Sequence, residues 1–155
     1  MKGIVIEPNP DLIRMFHKFR KRDIALPIGC SNKAALLQFN ISKTPVVSSF
    51  VLERDANFYK SAYVPVLPVD IALRNIDFKY ISFLSIDVEG LNLQVLEGAI
   101  ETIQKTLLVC LEYESDHEKE QFAKILGNTF VLASEFGCNV IYLNARLSKE
   151  FLIVE

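Results

Sequence analysis

Along this chain of 155 residues, short apolar runs alternate with stretches in which apolar side chains return every three or four positions. The first run, Gly-Ile-Val-Ile-Glu at 3–7, has no polar alternation, the mark of a strand covered on both faces. In the Pro8-Asn9-Pro10-Asp11 that follows, Asn9 can cap a helix and Pro10 suits its first position. Leu12, Ile13, Phe16 and Phe19 then recur at helical spacing, with Arg14, Lys18, Arg20, Lys21 and Arg22 mostly off that stripe. Residues 24–28 predict a second short strand ending at Gly29, and 35–41 another extended piece. Residues 42–63 show no clear period. There Ser48, Ser49, Arg54, Asp55, Asn57 and Lys60 are interleaved with Phe50, Phe58, Tyr59 and Tyr63, which predicts a loop-rich excursion that carries substrate contacts, or else an ordinary surface connection or short hairpin.

The second half is more regular. Residues 80–86 form a β-branched and aromatic run that stops at Asp87-Val88-Glu89-Gly90, and Leu93, Leu96, Ile100 and Ile103 predict a helix over 93–104. Residues 107–111 are the next buried strand, ending at Glu112-Tyr113-Glu114. Ser115-Asp116-His117-Glu118 has capping-box spacing, Phe122, Ile125 and Leu126 supply an apolar stripe, and Gly127 stops that helix. Residues 130–133 and 139–143 flank Glu135-Phe136-Gly137-Cys138 as a hairpin. Strand and helix thus alternate before a terminal hairpin. The expected fold is one α/β domain over 1–155: a mostly parallel sheet with helices on both faces and an antiparallel strand near its edge.

Composition narrows the function classes. Half of the positions are hydrophobic and 23% charged, and 17 Lys and Arg against 19 Asp and Glu leave a net charge of −2, so no broad surface for nucleic acid or anionic lipid is expected. Cys30, Cys110 and Cys138 include no close pair, which suits a reducing, cytoplasmic setting and gives no metal or redox motif. The longest apolar run cannot span a bilayer, and Ile4-Val5-Ile6 is too short for a signal-peptide core, so no membrane partner is expected.

Three strands end in acids: Glu7, Asp87 with Glu89, and Glu112 with Glu114. In open parallel sheets ligands bind beyond the carboxyl ends of the strands. Glu7 is placed either to accept hydrogen bonds from both hydroxyls of a ribose or simply to satisfy amides at a helix N-terminus. Asp87 is a candidate base, or else a turn carboxylate binding amides around Gly90. His117 is an alternative base or an exposed first-turn residue, and Tyr113 a stacking platform or a rim tyrosine.

Ile6-Glu7-Pro8-Asn9-Pro10, the stretch Ile81-Ser82-Phe83-Leu84-Ser85-Ile86-Asp87-Val88-Glu89-Gly90-Leu91-Asn92-Leu93-Gln94-Val95-Leu96-Glu97-Gly98-Ala99, and the Leu-Glu-Tyr-Glu strand end at 111–114 resemble, in order and spacing, the FkbM-type S-adenosylmethionine-dependent methyltransferases. The resemblance runs from Gly3 to about Leu143. It implies a class I, Rossmann-like three-layer sandwich, S-adenosylmethionine as cofactor, and methyl transfer to a hydroxyl oxygen of a sugar or polyketide-like small molecule. By position it implies that Glu7 holds the cofactor ribose, that Cys30 and Ser31 lie near the adenine, and that Asp87 and Glu89 face the transferred methyl group or the acceptor, with Asp87 also touching the cofactor. The chain departs from the family at its start, where a strand running into a Gly-rich loop precedes the acid equivalent to Glu7. The six glycines, at 3, 29, 90, 98, 127 and 137, contain no Gly-x-Gly. The expectation is an N-terminally truncated fold, with open edges on the strands ending at Glu7 and Asp87, and with self-association or a partner chain at that gap. Two functions follow: an O-methyltransferase or a piece of one, or a catalytically silent domain of the same fold that binds or assembles.

Overall fold

The computed structural model describes residues 2–44, 48–51 and 58–152. The first strand, β1 (Ile4–Ile6), leads through Glu7 into α1 (Pro10–Phe19). The helix starts as its sequence requires: Asn9 Oδ1 accepts the Asp11 N–H at 3.0 Å, and Pro10 occupies the first turn. The chain returns as β2 (Ile24–Leu26), parallel to β1 with Ile4 beside Ile24.

The strand expected over 24–28 is shorter and ends at Leu26. After β2 the chain turns into a separate two-residue strand, β3 (Gly29–Cys30), which pairs in parallel with the end of β5 (Phe58–Leu67), Gly29 beside Val66. A side chain at Gly29 would meet the Phe50 ring at 2.6 Å and Val66 at 2.8 Å, so glycine permits this close approach. β4 (Ala35–Ser42) agrees with the extended piece expected at 35–41, and it pairs antiparallel with β5. That pairing decides between the two readings of the segment: residues 58–63 are not loop but part of a ten-residue strand, paired antiparallel as in the hairpin alternative. Lys60, Ser61 and Tyr63 face solvent, so its local sequence is polar, and the partner strand supplies the order that periodicity does not reveal. Arg54, Asp55 and Asn57 lie outside the described residues.

The second half begins with a short helix, α2 (Val69–Ala72), absent from the sequence reading. β6 (Ile81–Ile86) and β7 (Thr106–Glu112) are parallel, and α3 (Asn92–Glu97) and α4 (Ile100–Gln104) lie between them. The single helix expected at 93–104 is therefore broken at Gly98-Ala99. Asp70 makes the break: its carboxylate accepts the N–H groups of Glu101 and Thr102 at 2.9 and 2.8 Å and the Thr102 hydroxyl at 2.6 Å, capping α4 from α2. α5 (Asp116–Leu126) opens with Ser115 Oγ accepting the Glu118 N–H at 3.2 Å, while Glu118 takes the Glu114 N–H at 2.9 Å. Gly127, at φ 61°, ends it. β8 (Phe130–Phe136) and β9 (Asn139–Asn144) form the expected hairpin around Gly137, at φ 57°. α6 (Ala145–Leu152) follows, another element absent from the sequence reading, begun by Asn144, whose Oδ1 accepts the Arg146 and Leu147 N–H groups at 3.2 and 3.1 Å.

The parallel strands do not make one sheet. The described residues form β1-β2, β3-β5-β4 and β6-β7-β9-β8, with β6 and β8 at the edges of the last. β1 and β2 nonetheless share the main core: Ile4, Ile6 and Leu26 pack against a cluster that includes Ile86, Leu96, Val109, Leu111, Phe122 and Val140. A smaller cluster of Phe39, Ile41 and Val64, with Phe50 against it, lies under the β4–β5 ribbon. β6 reads Ile-Ser-Phe-Leu-Ser-Ile, a run suited to burial on both faces, yet Ser82, Phe83 and Ser85 are exposed at its open edge. No helix among the described residues is long and apolar enough to cross a membrane.

Candidate active site

Parallel register assembles the acids. Ile86 of β6 lies beside Leu111 of β7, so the residues that follow, Asp87 and Glu112, emerge side by side at the carboxyl ends of the two strands. Asp87 is exposed and Glu112 half-buried. Partial burial pushes the Glu112 carboxyl above its ordinary range, and the adjoining Asp87 carboxyl, then Glu89, push it further. On the other side of Glu112, the β7–β9 register brings Cys138, whose Sγ donates to Glu112 Oε1 at 3.3 Å; that contact raises the thiol in turn.

Glu7 ends β1. It is half-buried, and its Oε1 accepts the Asn9 N–H at 2.7 Å. Burial raises the Glu7 carboxyl and the amide contact partly offsets it. Between Glu7 and Asp87 runs the stretch 48–51: Ser48 Oγ stands 3.5 Å from Asn9 Nδ2, and Ser49 Oγ donates to the Glu89 carbonyl at 2.8 Å. The turn after β1 and the turn after β6 are thereby joined through neighbouring residues. Sequence reasoning counted these serines only as part of a polar loop. No local pattern marks them, because their partners are 39 and 40 positions away.

Other candidates have different surroundings. Cys30 and Ser31, expected beside an adenine, are interior residues at 8% and 7% exposure. Cys30 packs in the main core, where burial pushes its thiol up to about 12, and the Ser31 carbonyl lies against Gly98. Tyr113 is engaged: its hydroxyl donates to Glu135 at 2.6 Å, and Lys119 both binds Glu135 at 2.8 Å and sits over the Tyr113 ring. His117 is exposed in the first turn of α5, with Gln121 at 3.5 Å. Among the described residues no three His, Cys, Asp or Glu side chains are grouped to hold a metal ion. A recess of about 400 Å³ lies between α2 and α4, lined by Asp70, Arg74, Phe78, Thr102 and Lys105. It faces the segments that enter β6 and β7, away from their acidic ends, and Asp70 is committed to capping α4.

An α/β molecule whose parallel strands carry carboxylates at their carboxyl ends presents them at the rim where open parallel sheets bind their ligands. The family to which it belongs is shown by comparison: the model of the methyltransferase FkbM domain matches residues 1–137, and the chain is a member of that family. Comparison with curated proteins gives no match. Among solved structures, a methyltransferase FkbM from Methylobacillus flagellatus KT has a similar fold, with a TM-score of 0.52 at 17% identity over 90% of this chain. The match covers 36% of that protein, so this chain spans about a third of its length.

Proposed function

We propose that this domain serves S-adenosylmethionine-dependent methyl transfer to a hydroxyl oxygen of a small molecule such as a sugar or polyketide. The observation that carries this reading is the half-buried Glu7, joined through Ser48 and Ser49 to the turn that bears Asp87 and Glu89. The ribose end of the cofactor suits Glu7: Oε1 is taken by the Asn9 N–H, and Oε2 retains lone pairs for hydroxyl donors. The methionine end is less well served, because the described rim offers no glycine-rich turn of backbone donors. The bound cofactor supplies an electrophilic methyl group. Asp87, exposed beside Glu112, is the group suited to orient an acceptor hydroxyl and take its proton, with Glu89 shaping the field around it.

In this reading the fold is the Rossmann-like sandwich of the family. On this reading the open edges of β1 and β6 can accept one more strand. Where no such strand is supplied, the same edge favours self-association or a partner chain. The alternative, a silent domain used for binding or assembly, predicts no cofactor affinity in any form.

Calorimetric titration with S-adenosylmethionine tests the proposal. The 155-residue chain is expected to bind weakly or below detection, since a ligand held at its ribose end alone keeps much of its freedom. A form extended at its N-terminus by a strand and a Gly-rich loop should bind, and Glu7→Ala should abolish that binding. An extended form without affinity would overturn the methyltransferase reading.

A further inference from the structure

Ser48 and Ser49 are held unusually well for loop residues. Asn40 and Ser49 exchange both backbone hydrogen bonds, at 2.8 and 3.0 Å, in an antiparallel bridge that pins the stretch beside β4. The two serines are 8% and 1% exposed. Ser48 Oγ accepts the Ser42 N–H at 3.1 Å and faces Asn9 Nδ2, on the turn after β1. Ser49 Oγ accepts the Val51 N–H at 2.9 Å, which orients the hydroxyl, and donates its one proton to the Glu89 carbonyl. That carbonyl belongs to the turn between Asp87 and Gly90, where Gly90 has a φ of 85° and the Val88 N–H is held at 2.8 Å by Asn92 Oδ1.

A hydroxyl kept for solubility faces water. These two face the two candidate motifs instead, and each is satisfied by backbone on its own side of the site. We propose that Ser49 is a positioning residue, and that Ser48 and Ser49 together form a clasp holding the Asp87–Gly90 turn in register with the Glu7–Asn9 turn. The clasp is a matter of hydrogen bonding alone; only its purpose rests on the proposed function. That purpose is geometric. The ribose-side carboxylate and the acceptor-side carboxylate stand on strands that share no hydrogen bonds among the described residues, so sheet pairing does not set their separation. Group transfer is sensitive to misplacement on the scale of an ångström, and a buried serine pair supplies the missing constraint.

The test uses the full chain and the Glu112 carboxyl as reporter, because Asp87, Glu89 and Cys138 are the titratable groups facing it. Carboxyl carbon NMR follows Glu112 with pH in the parent, Ser49→Ala and Ser49→Thr proteins. Releasing the turn in Ser49→Ala should lower the Glu112 midpoint by about half a pH unit, the size expected when one neighbouring charge withdraws by a few ångströms in largely aqueous surroundings. Ser49→Thr keeps the hydroxyl and should restore the parent value. Glu135, held down by Lys119 and Tyr113, is the internal control and should not move. Should Ser49→Ala fail to fold, Ser49→Cys, close in size and a weak donor, replaces it. An unchanged Glu112 midpoint overturns the clasp, as does a parallel shift of Glu135, which would signal general loosening. Titration of a cofactor-competent form with S-adenosylhomocysteine separates the two claims: Ser49→Ala should weaken binding about tenfold. Absence of binding in the parent counts against the function alone, and the Glu112 readout still decides the clasp.

Discussion

Replacing Gly98 by alanine tests how tightly the first half of the chain is seated on the second. Gly98 has φ −84° and ψ 4°, a conformation open to any L residue, so backbone freedom is not what the position requires. On conformational entropy alone the alanine would stabilise by about 0.4–1 kcal/mol. The added Cβ, however, would lie 2.2 Å from the Ser31 carbonyl oxygen, 3.1 Å from its carbon and 3.2 Å from the Asn32 Cα. Carbon–oxygen contacts settle at roughly 3.3 Å or more, so the 31–32 backbone must retreat by about 1 Å. These are main-chain atoms and cannot swing aside. The retreat also strains the hydrogen bond from Asn32 Nδ2 to Glu97 Oε2, 2.8 Å long. Overpacking of this kind costs about 1–3 kcal/mol, which leaves a net destabilisation of about 1–2 kcal/mol. For a chain of this length that is a fall in Tm of roughly 2–8 °C. Urea and thermal melts followed by circular dichroism measure it. Gly137→Ala is the contrast: nothing lies within 4 Å of its Cβ, and a loss of about 1 kcal/mol arises there from φ 57° instead. A Gly98→Ala protein as stable as the parent, or more so, would refute the close seating of the 31–32 turn on α3.

Two further outcomes follow from the site and the open edge. Burial raises the Glu7 carboxyl in the folded state, so the native protein holds the proton more tightly than the unfolded chain, and stability declines as pH rises from the ordinary carboxylate value through the raised one. Glu7→Gln, which keeps an oxygen for the Asn9 N–H, should therefore melt higher at pH 7 and lose that part of the pH dependence, while a cofactor-competent form loses ribose binding. A Glu7→Gln protein less stable than the parent at pH 7 would contradict the sign. Phe83, 52% exposed on the unpaired edge of β6, should drive self-association; Phe83→Lys should reduce the mass seen by light scattering with less than about 0.5 kcal/mol change in stability. An unchanged mass would show that this edge is not the contact.

Local chemistry alone determined a good part of this protein. Asn9 and Pro10 start α1, Ser115 starts α5, and Gly137 turns the last hairpin, because caps and left-handed turns depend on the residues that make them. β1 and β7 were legible as apolar runs and β6 as a β-branched and aromatic one, and the acids at their ends followed directly. Other features were decided only by contacts between distant segments. β5 is a strand because β4 pairs with it over its length, although Tyr59, Lys60 and Ser61 read as loop. The helix predicted at 93–104 is cut where Asp70, on α2, satisfies the first amides of α4. Cys30 and Ser31 follow a strand end, as the sequence suggests, but α3 and the core enclose them. The separation of β1 from β6, and the serine clasp that spans it, are likewise invisible along the chain. Side-chain periodicity records which way a residue faces; it carries no information on which segment arrives to face it, and packing settles that.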